Sequence, residues 1–388
     1  MMLKLALRNL WGAGLRTVLN VAVLSFAFVA IIWLQGLYEG MNQQASQALL
    51  REAYGGGQYW HPLYDPYDPL SIIDSQGLLP VKIDSFVHRK QATAILLIQG
   101  TLYPQGRVQT VVISGIDPDQ RVLDMPVDVL KIDDSDIPAL LGTRMAKTCG
   151  LSTGDAVILR WRDRNGTFDA RQIRIVEIMH TNVQMIDNGR VWIPLHKLQE
   201  MTLRPNEATL VVLDRSTTRT ASADWTFHNT DELLQDIHEL VKVKQIGGMV
   251  LYVILLFLAM LAIFDTQVLS IFRRRKEIGT LMALGMTRWQ VVRLFTLEGA
   301  LHGIFAALLA AIYGIPLLVI YARHGMQLTD AVDSMGISLG TQLYPVYSTG
   351  MILATVVIVL TTVTVVSYLP SRRIAKLKPT DALRGKRA

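Results

Sequence analysis

Residues 247–276 read GGMVLYVILLFLAMLAIFDTQVLSIFRRRK. The first 25 of these are apolar or weakly polar apart from one carboxylate, Asp265, and the run closes on Arg273, Arg274, Arg275 and Lys276. About 20 mostly apolar residues cross the ~30 Å hydrocarbon layer of a bilayer. The stretch is therefore a membrane span that ends in a basic exit, at residues 246–271.

Working outward, three similar runs appear at 17–38, 298–321 and 347–369. The first is too long for a cleaved signal peptide and has Trp33 and Tyr38 at its far end, so it reads as an uncleaved anchor. Its strongly polar interruptions are Asn20, Ser25 and Gln35. Residues 1–16 alternate apolar positions with Lys4 and Arg8, the pattern of a short amphipathic helix on the membrane surface. In the third run, Gly303, Gly314 and Pro316 are kink or close-packing points.

The chain carries a formal net charge of +6. The bases do not form a nucleic-acid footprint; they cluster before the first run, between the second and third, and after the fourth. Lys and Arg beside spans stay in the cytoplasm. Both termini, the segment 272–297 and the basic tail 370–388 are then expected in the cytoplasm. A domain at 39–245 and a shorter loop at 322–346 are expected outside.

The large segment 39–245 has the mixed composition of a water-soluble domain. Gly55, Gly56 and Gly57 with Pro62, Pro66 and Pro69 mark a loop-rich start, without the spacing of a phosphate-binding loop. β-Rich runs lie at 108–113, 156–161, 171–176, 191–194 and 208–213. Asn165-Gly166 between two of them signals a hairpin. Residues 140–149 and 195–201 read as helices, giving an α+β domain in two lobes. Residues 231–244 read as a helix feeding the second span, with Leu233, Leu234, Ile237, Leu240 and Val241 on one face.

No catalytic or metal-binding pattern emerges. The histidines are scattered, Asp65, Asp68 and Asp74 lack calcium-loop spacing, and no nucleophile elbow occurs. Cys149 is the one cysteine, and reads as a small core residue. No cofactor is expected in this chain.

The segment after the second span continues Glu277-Ile278-Gly279-Thr280-Leu281-Met282-Ala283-Leu284-Gly285-Met286-Thr287-Arg288. Ile278, Leu281, Met282 and Leu284 lie on a short helix that stops near Gly285, and a second helix re-enters the membrane with Glu298 near its start. An apolar helix held between bases and a glycine suits a partner's groove. This segment resembles the coupling segment of the FtsX-like/MacB-like ABC transporter permeases, whose members read Arg-x-x-Glu-Ile-Gly-x-Leu-x-Ala-Leu-Gly. Leu5-Ala6-Leu7-Arg8-Asn9-Leu10 is similar to that family's amino terminus, and residues 370–384 to its carboxyl-terminal signature. Gly150-Leu151-Ser152-Thr153-Gly154-Asp155 is similar to a turn of its outer domain.

The resemblance implies a type VII ABC permease: four transmembrane helices, a large α+β extracytoplasmic domain between the first two, and a bacterial inner-membrane location. It implies a non-catalytic chain that pairs with a second permease, identical or related, and docks on a cytoplasmic ATPase dimer that binds ATP and Mg. Glu277, Gly279, Leu281, Leu284, Gly285 and Arg288 would contact the ATPase. Asp265 stands where the family commonly has Asn. It reads as an intramembrane polar site paired with a base or with the partner permease, or as a charge snorkelling to the interface. In layout the chain is closest to the lipoprotein-releasing LolC/LolE permeases, which implies lipoprotein extraction from the inner membrane. The alternatives are MacB-like export of periplasmic peptides or antibiotics, and FtsX-like regulation of a cell-wall hydrolase without transport.

Overall fold

A computed structural model describes residues 2–132, 136–220, 222, 224–327 and 342–374. The chain divides into two compact units. A helical unit holds Met1–Met41, Leu240–Met326 and the described residues from Leu343 on; a sheet unit holds Asn42–Glu239.

The labelled helices of the first unit are α1 (Met2–Gly12), α2 (Leu15–Leu49), α3 (Gln235–Arg273), α4 (Arg275–Ala283), α5 (Arg288–His324) and α6 (Thr349–Ile374). α2, α3, α5 and α6 are each long and apolar enough to cross a membrane. They pack through Leu24, Phe28 and Ile31 of α2, Ala259 and Ile263 of α3, Ala306 and Ala310 of α5, and Val359 and Val363 of α6. Small residues let the backbones approach: a Cβ on Gly303 would meet Leu360, and one on Gly314 would meet Val29. Both glycines are thus close-packing points.

The polar interruptions of the first span have a structural use. Asn20 Oδ1 accepts from Thr266 Oγ1 of α3 at 3.2 Å. Ser25 and Tyr313 of α5 share a hydroxyl contact at 3.4 Å. Gln35 Oε1 accepts from Thr355 Oγ1 of α6 at 3.0 Å. Asn20, Ser25 and Gln35 therefore each tie α2 to a different helix.

α1 is not confined to lipid contact. Its Ala6 and Leu10 are buried against Leu294 and Leu301 of α5, while Leu3 and Trp11 remain exposed. Thr17 Oγ1 donates to Leu10 O at 2.9 Å, closing the turn between α1 and α2 at Gly14, whose φ is +58°.

The sheet unit is built on nine strands: β1 (Gln58–Trp60), β2 (Ala92–Tyr103), β3 (Gln109–Ile116), β4 (Ile137–Gly142), β5 (Ala156–Arg162), β6 (Phe168–Met179), β7 (Arg190–Pro194), β8 (Leu210–Leu213) and β9 (Thr226–His228). Their order is β9-β1-β8-β2-β3-β7-β4-β6-β5. β2 also pairs with β5, so β2, β3, β7, β4, β6 and β5 close into a ring. Its core includes Ile98, Ile113, Leu141, Leu159, Trp161, Ile173 and Val191, all buried. β5 shows strict alternation, with Val157, Leu159 and Trp161 inward. The Trp161 indole N–H donates to Met201 O at 2.8 Å. Cys149 is buried in the same core.

The fold class expected from sequence is the one observed. The β5–β6 hairpin turns at Asp163–Thr167, where Gly166 takes φ +86° and Asp163 Oδ1 accepts from two backbone amides. The nine strands form one sheet, and Gly77–Leu78 pairs separately with Glu207–Ala208. Two expectations are corrected. Residues 140–142 are strand, not helix: β4 is buried throughout, pairs with β6 and β7, and the helix starts only at Thr143. The helix expected over 231–244 is interrupted, a short Thr230–Leu233 turn giving way to α3 at Gln235. Most of the 322–346 loop and the tail from residue 375, including most of the carboxyl-terminal signature, lie outside the described residues.

Candidate functional site

The segment between α3 and α5 is held by one side chain. Arg274 leaves helical geometry at φ −97° and ψ 16°, which separates α3 from α4. Its Nη1 donates to both carboxylate oxygens of Glu298, at 3.1 and 3.2 Å, and its Nε donates to Glu277 Oε2 at 2.8 Å. Asn9 Nδ2 donates to Glu298 Oε1 at 2.5 Å. The guanidinium also lies 5.2 Å from the Phe295 ring centroid. Glu298 is 5% exposed, and a buried carboxylate is tolerable only when paired and hydrogen-bonded, as this one is. The anchor therefore ties α1, the α3–α4 joint and α5 together.

α4 then folds back on its neighbours. Ile278 is buried with Ile271, Val291 and Phe295, and Met282 packs on the same cluster. The helix ends in a Schellman turn: Met286 N–H donates to Leu281 O at 3.0 Å and Gly285 N–H to Met282 O at 3.1 Å. Gly285 has φ +98°, a conformation that favours glycine. Thr287 opens α5 with a capping box completed by Gln290. Both ends of the 284–287 corner are thus fixed by local hydrogen bonds.

The expected site residues divide by exposure. Leu284 is 79% exposed, and Glu277, Gly285 and Arg288 are exposed with it. Gly279 is buried and Leu281 half-buried. Trp289, five residues further on, is 63% exposed and meets Tyr368 of α6 edge-on at 6.5 Å. Asp265 is exposed on α3 and makes no hydrogen bond or ion pair among the described residues. It is not joined to the anchor. Glu298 lies in the third turn of α5, deeper than expected, because that helix already begins at Arg288.

In the sequence Asn9, Arg274 and Glu298 lie in three separate segments, and no spacing joins them. The available signal was the lone carboxylate at the start of an apolar run, which demands a partner. Among the described residues no cluster of His, Cys, Asp and Glu could hold a metal ion.

Residues 249–379 match the FtsX-like permease C-terminal family. A protein of Methanocaldococcus jannaschii named as an uncharacterized ABC transporter permease is 26% identical over 163 residues, covering 42% of this chain and 38% of that protein. The macrolide export ATP-binding/permease protein MacB of Bordetella avium is 25% identical over 235 residues, covering 56% of this chain and 34% of that protein. The chain therefore spans well under half the length of these relatives. The extracellular domain of the noncanonical ABC-type transporter YknZ from Gram-positive bacteria aligns with 47% of this chain and 94% of that one, at 16% identity and a TM-score of 0.24.

Proposed function

We propose that the chain, whose residues 249–379 match the FtsX-like permease C-terminal family, is the permease subunit of a type VII ABC transporter. ATP and Mg bind to an ATPase not contained in these 388 residues. In this reading α4 and the 284–287 corner face the cytoplasm and dock on that ATPase, and the sheet unit lies outside and moves during the ATP cycle. The permease pairs with a second copy or a related chain in the inner membrane.

One observation carries the reading. The corner presents Glu277, Leu284, Gly285 and Arg288 while Arg274 clamps its base to Glu298. A contact made at the corner then loads α3 and α5 directly and is not absorbed by a slack loop. Gly279 is buried and Leu281 half-buried, so each offers less surface to the partner than Leu284 does.

For cargo we propose lipoprotein extraction, in which a lipid-anchored protein enters between the spans and the sheet unit drives it outward. Export of periplasmic peptides or antibiotics is the second reading, and the relatives named as macrolide export proteins favour it. Purifying the tagged chain from native membranes separates them. An ATP-binding subunit is expected in the complex under both readings. An acylated protein bound to it supports extraction, and a membrane-fusion adaptor supports export. A cell-wall hydrolase or its activator instead would replace both with a regulatory role, and recovery with no ATP-binding subunit would contradict the permease assignment.

A further inference from the structure

Beside the Arg274 anchor the helical unit holds a half-open cavity of about 480 Å³. Arg8, Arg16, Arg273, Arg274, Gln267 and His302 are among the residues lining it. The charges do not balance. Both carboxylates on its wall, Glu277 and Glu298, are already held by Arg274. Arg8, Arg16 and Arg273 make no hydrogen bond or ion pair among the described residues. Three arginines from α1, α2 and α3 thus line one space with no counter-charge of their own.

A second observation is independent of charge. Gln267 is 3% exposed, and its amide oxygen has no hydrogen-bond donor among the described residues. An unsatisfied buried acceptor is costly, so a donor arriving in this cavity gains what the protein leaves unmade. The site therefore asks for two things at once, an anion for the arginines and a hydroxyl or amine hydrogen for Gln267.

The depth of the cavity decides the source of that anion. Arg8 lies on α1, Arg16 in the first turn of α2, and Arg273 closes α3, which puts all three at the headgroup level of a bilayer. Exposed Leu15 and Leu19 on α2, and Phe272 on α3, supply apolar surface for an acyl chain. Guanidinium forks match phosphate oxygens, and basic pockets between spans take anionic headgroups.

We propose that this cavity binds the headgroup of an anionic glycerophospholipid, its phosphate on Arg8, Arg16 and Arg273 and a headgroup hydroxyl donating to Gln267. The bound lipid abuts the Arg274–Glu298 anchor, so membrane composition sets the stiffness of the coupling corner. The proposal depends on the membrane placement of the spans and not on the cargo or the ATPase.

The test uses the full chain in neutral detergent, with retained lipid read by native mass spectrometry. The probes are phosphatidylglycerol, phosphatidic acid and phosphatidylcholine at equal concentration. The wild type is expected to retain phosphatidylglycerol well above phosphatidylcholine. Combined Arg8→Gln, Arg16→Gln and Arg273→Gln should lower that retention at least about tenfold, as expected for three lost basic contacts near an anionic surface. Gln267→Leu should erase the preference for phosphatidylglycerol over phosphatidic acid while keeping both above phosphatidylcholine. Should the triple variant fail to fold, Arg8→Gln alone, at an exposed position of α1, carries the test in the same direction. Equal retention of phosphatidylglycerol and phosphatidylcholine by the wild type, or unchanged retention in the arginine variants, overturns the proposal. So does displacement of the lipid by glycerol phosphate, which would assign the cavity to a soluble phosphate ester.

Discussion

Arg274 reaches 24 residues along the chain to grip both carboxylate oxygens of Glu298 from a single nitrogen, at 3.1 and 3.2 Å. This pair ties the joint between α3 and α4 to α5. It also stakes stability on one guanidinium, because Glu298 is buried and keeps only Asn9 when that group is removed.

Arg274→Ala should therefore cost about 3–5 kcal/mol, the usual penalty for stranding a buried charge. Adding Glu298→Gln should recover much of it, because the remaining amide carries no charge. Thermal unfolding of the detergent-solubilised chain reads both. A double variant no more stable than Arg274→Ala would show that the pair contributes through packing alone.

Ile278 and Leu284 lie six residues apart on the same segment but face opposite environments, 1% and 79% exposed. Ile278→Ala should destabilise by about 2–5 kcal/mol through the cavity it leaves against Val291 and Phe295. Leu284→Ala should leave the melting temperature unchanged and instead weaken association with the ATPase. Melting curves and a pull-down on the same two variants give a crossed pattern if the assignment holds.

Much of the helical unit could be read before any coordinates. The uncharged runs marked the spans, and Gly285 marked the end of α4, because φ +98° is reached there without strain. The polar residues of the first span were visible too, but not their partners, since Thr266, Tyr313 and Thr355 are distant in sequence. β2 went unread for a different reason. Ala92–Tyr103 is buried along most of its length and flanked by pairing strands, so it lacks the alternation that reveals a half-exposed strand. β4, equally buried, was merged with the helix that follows it. At the site, the segment was identifiable and its exposed residues were not. Only the fold shows that Gly279 turns inward while Leu284 turns outward.

Gln35→Leu should cost about 1 kcal/mol by deleting the bond to Thr355, a typical value for one hydrogen bond between membrane helices. Thr355→Val in the Gln35→Leu background should then cost little more. Unfolding of the single and double variants measures the coupling, and full additivity would show that the two side chains do not interact.

Acid should weaken the sheet unit partly through His61. Burial holds its imidazole below the ordinary 6.5, and Trp225 meets it edge-on at 5.8 Å. As pH falls the unfolded chain takes the proton first, so this contribution is present above the unfolded pKa and is lost as pH drops towards the lower folded value. His61→Asn should flatten the fall in stability between neutral pH and mild acid. The readout is the melting temperature of wild type and variant across that range.

The most direct measurement of the central claim is a photo-cross-linking side chain installed at position 284 in the full chain, in native cells. A covalent adduct with an ATP-binding protein is expected, lost when the same group replaces buried Ile278. An adduct at 284 with lipid alone, in cells where the chain is inserted and stable, would contradict that claim.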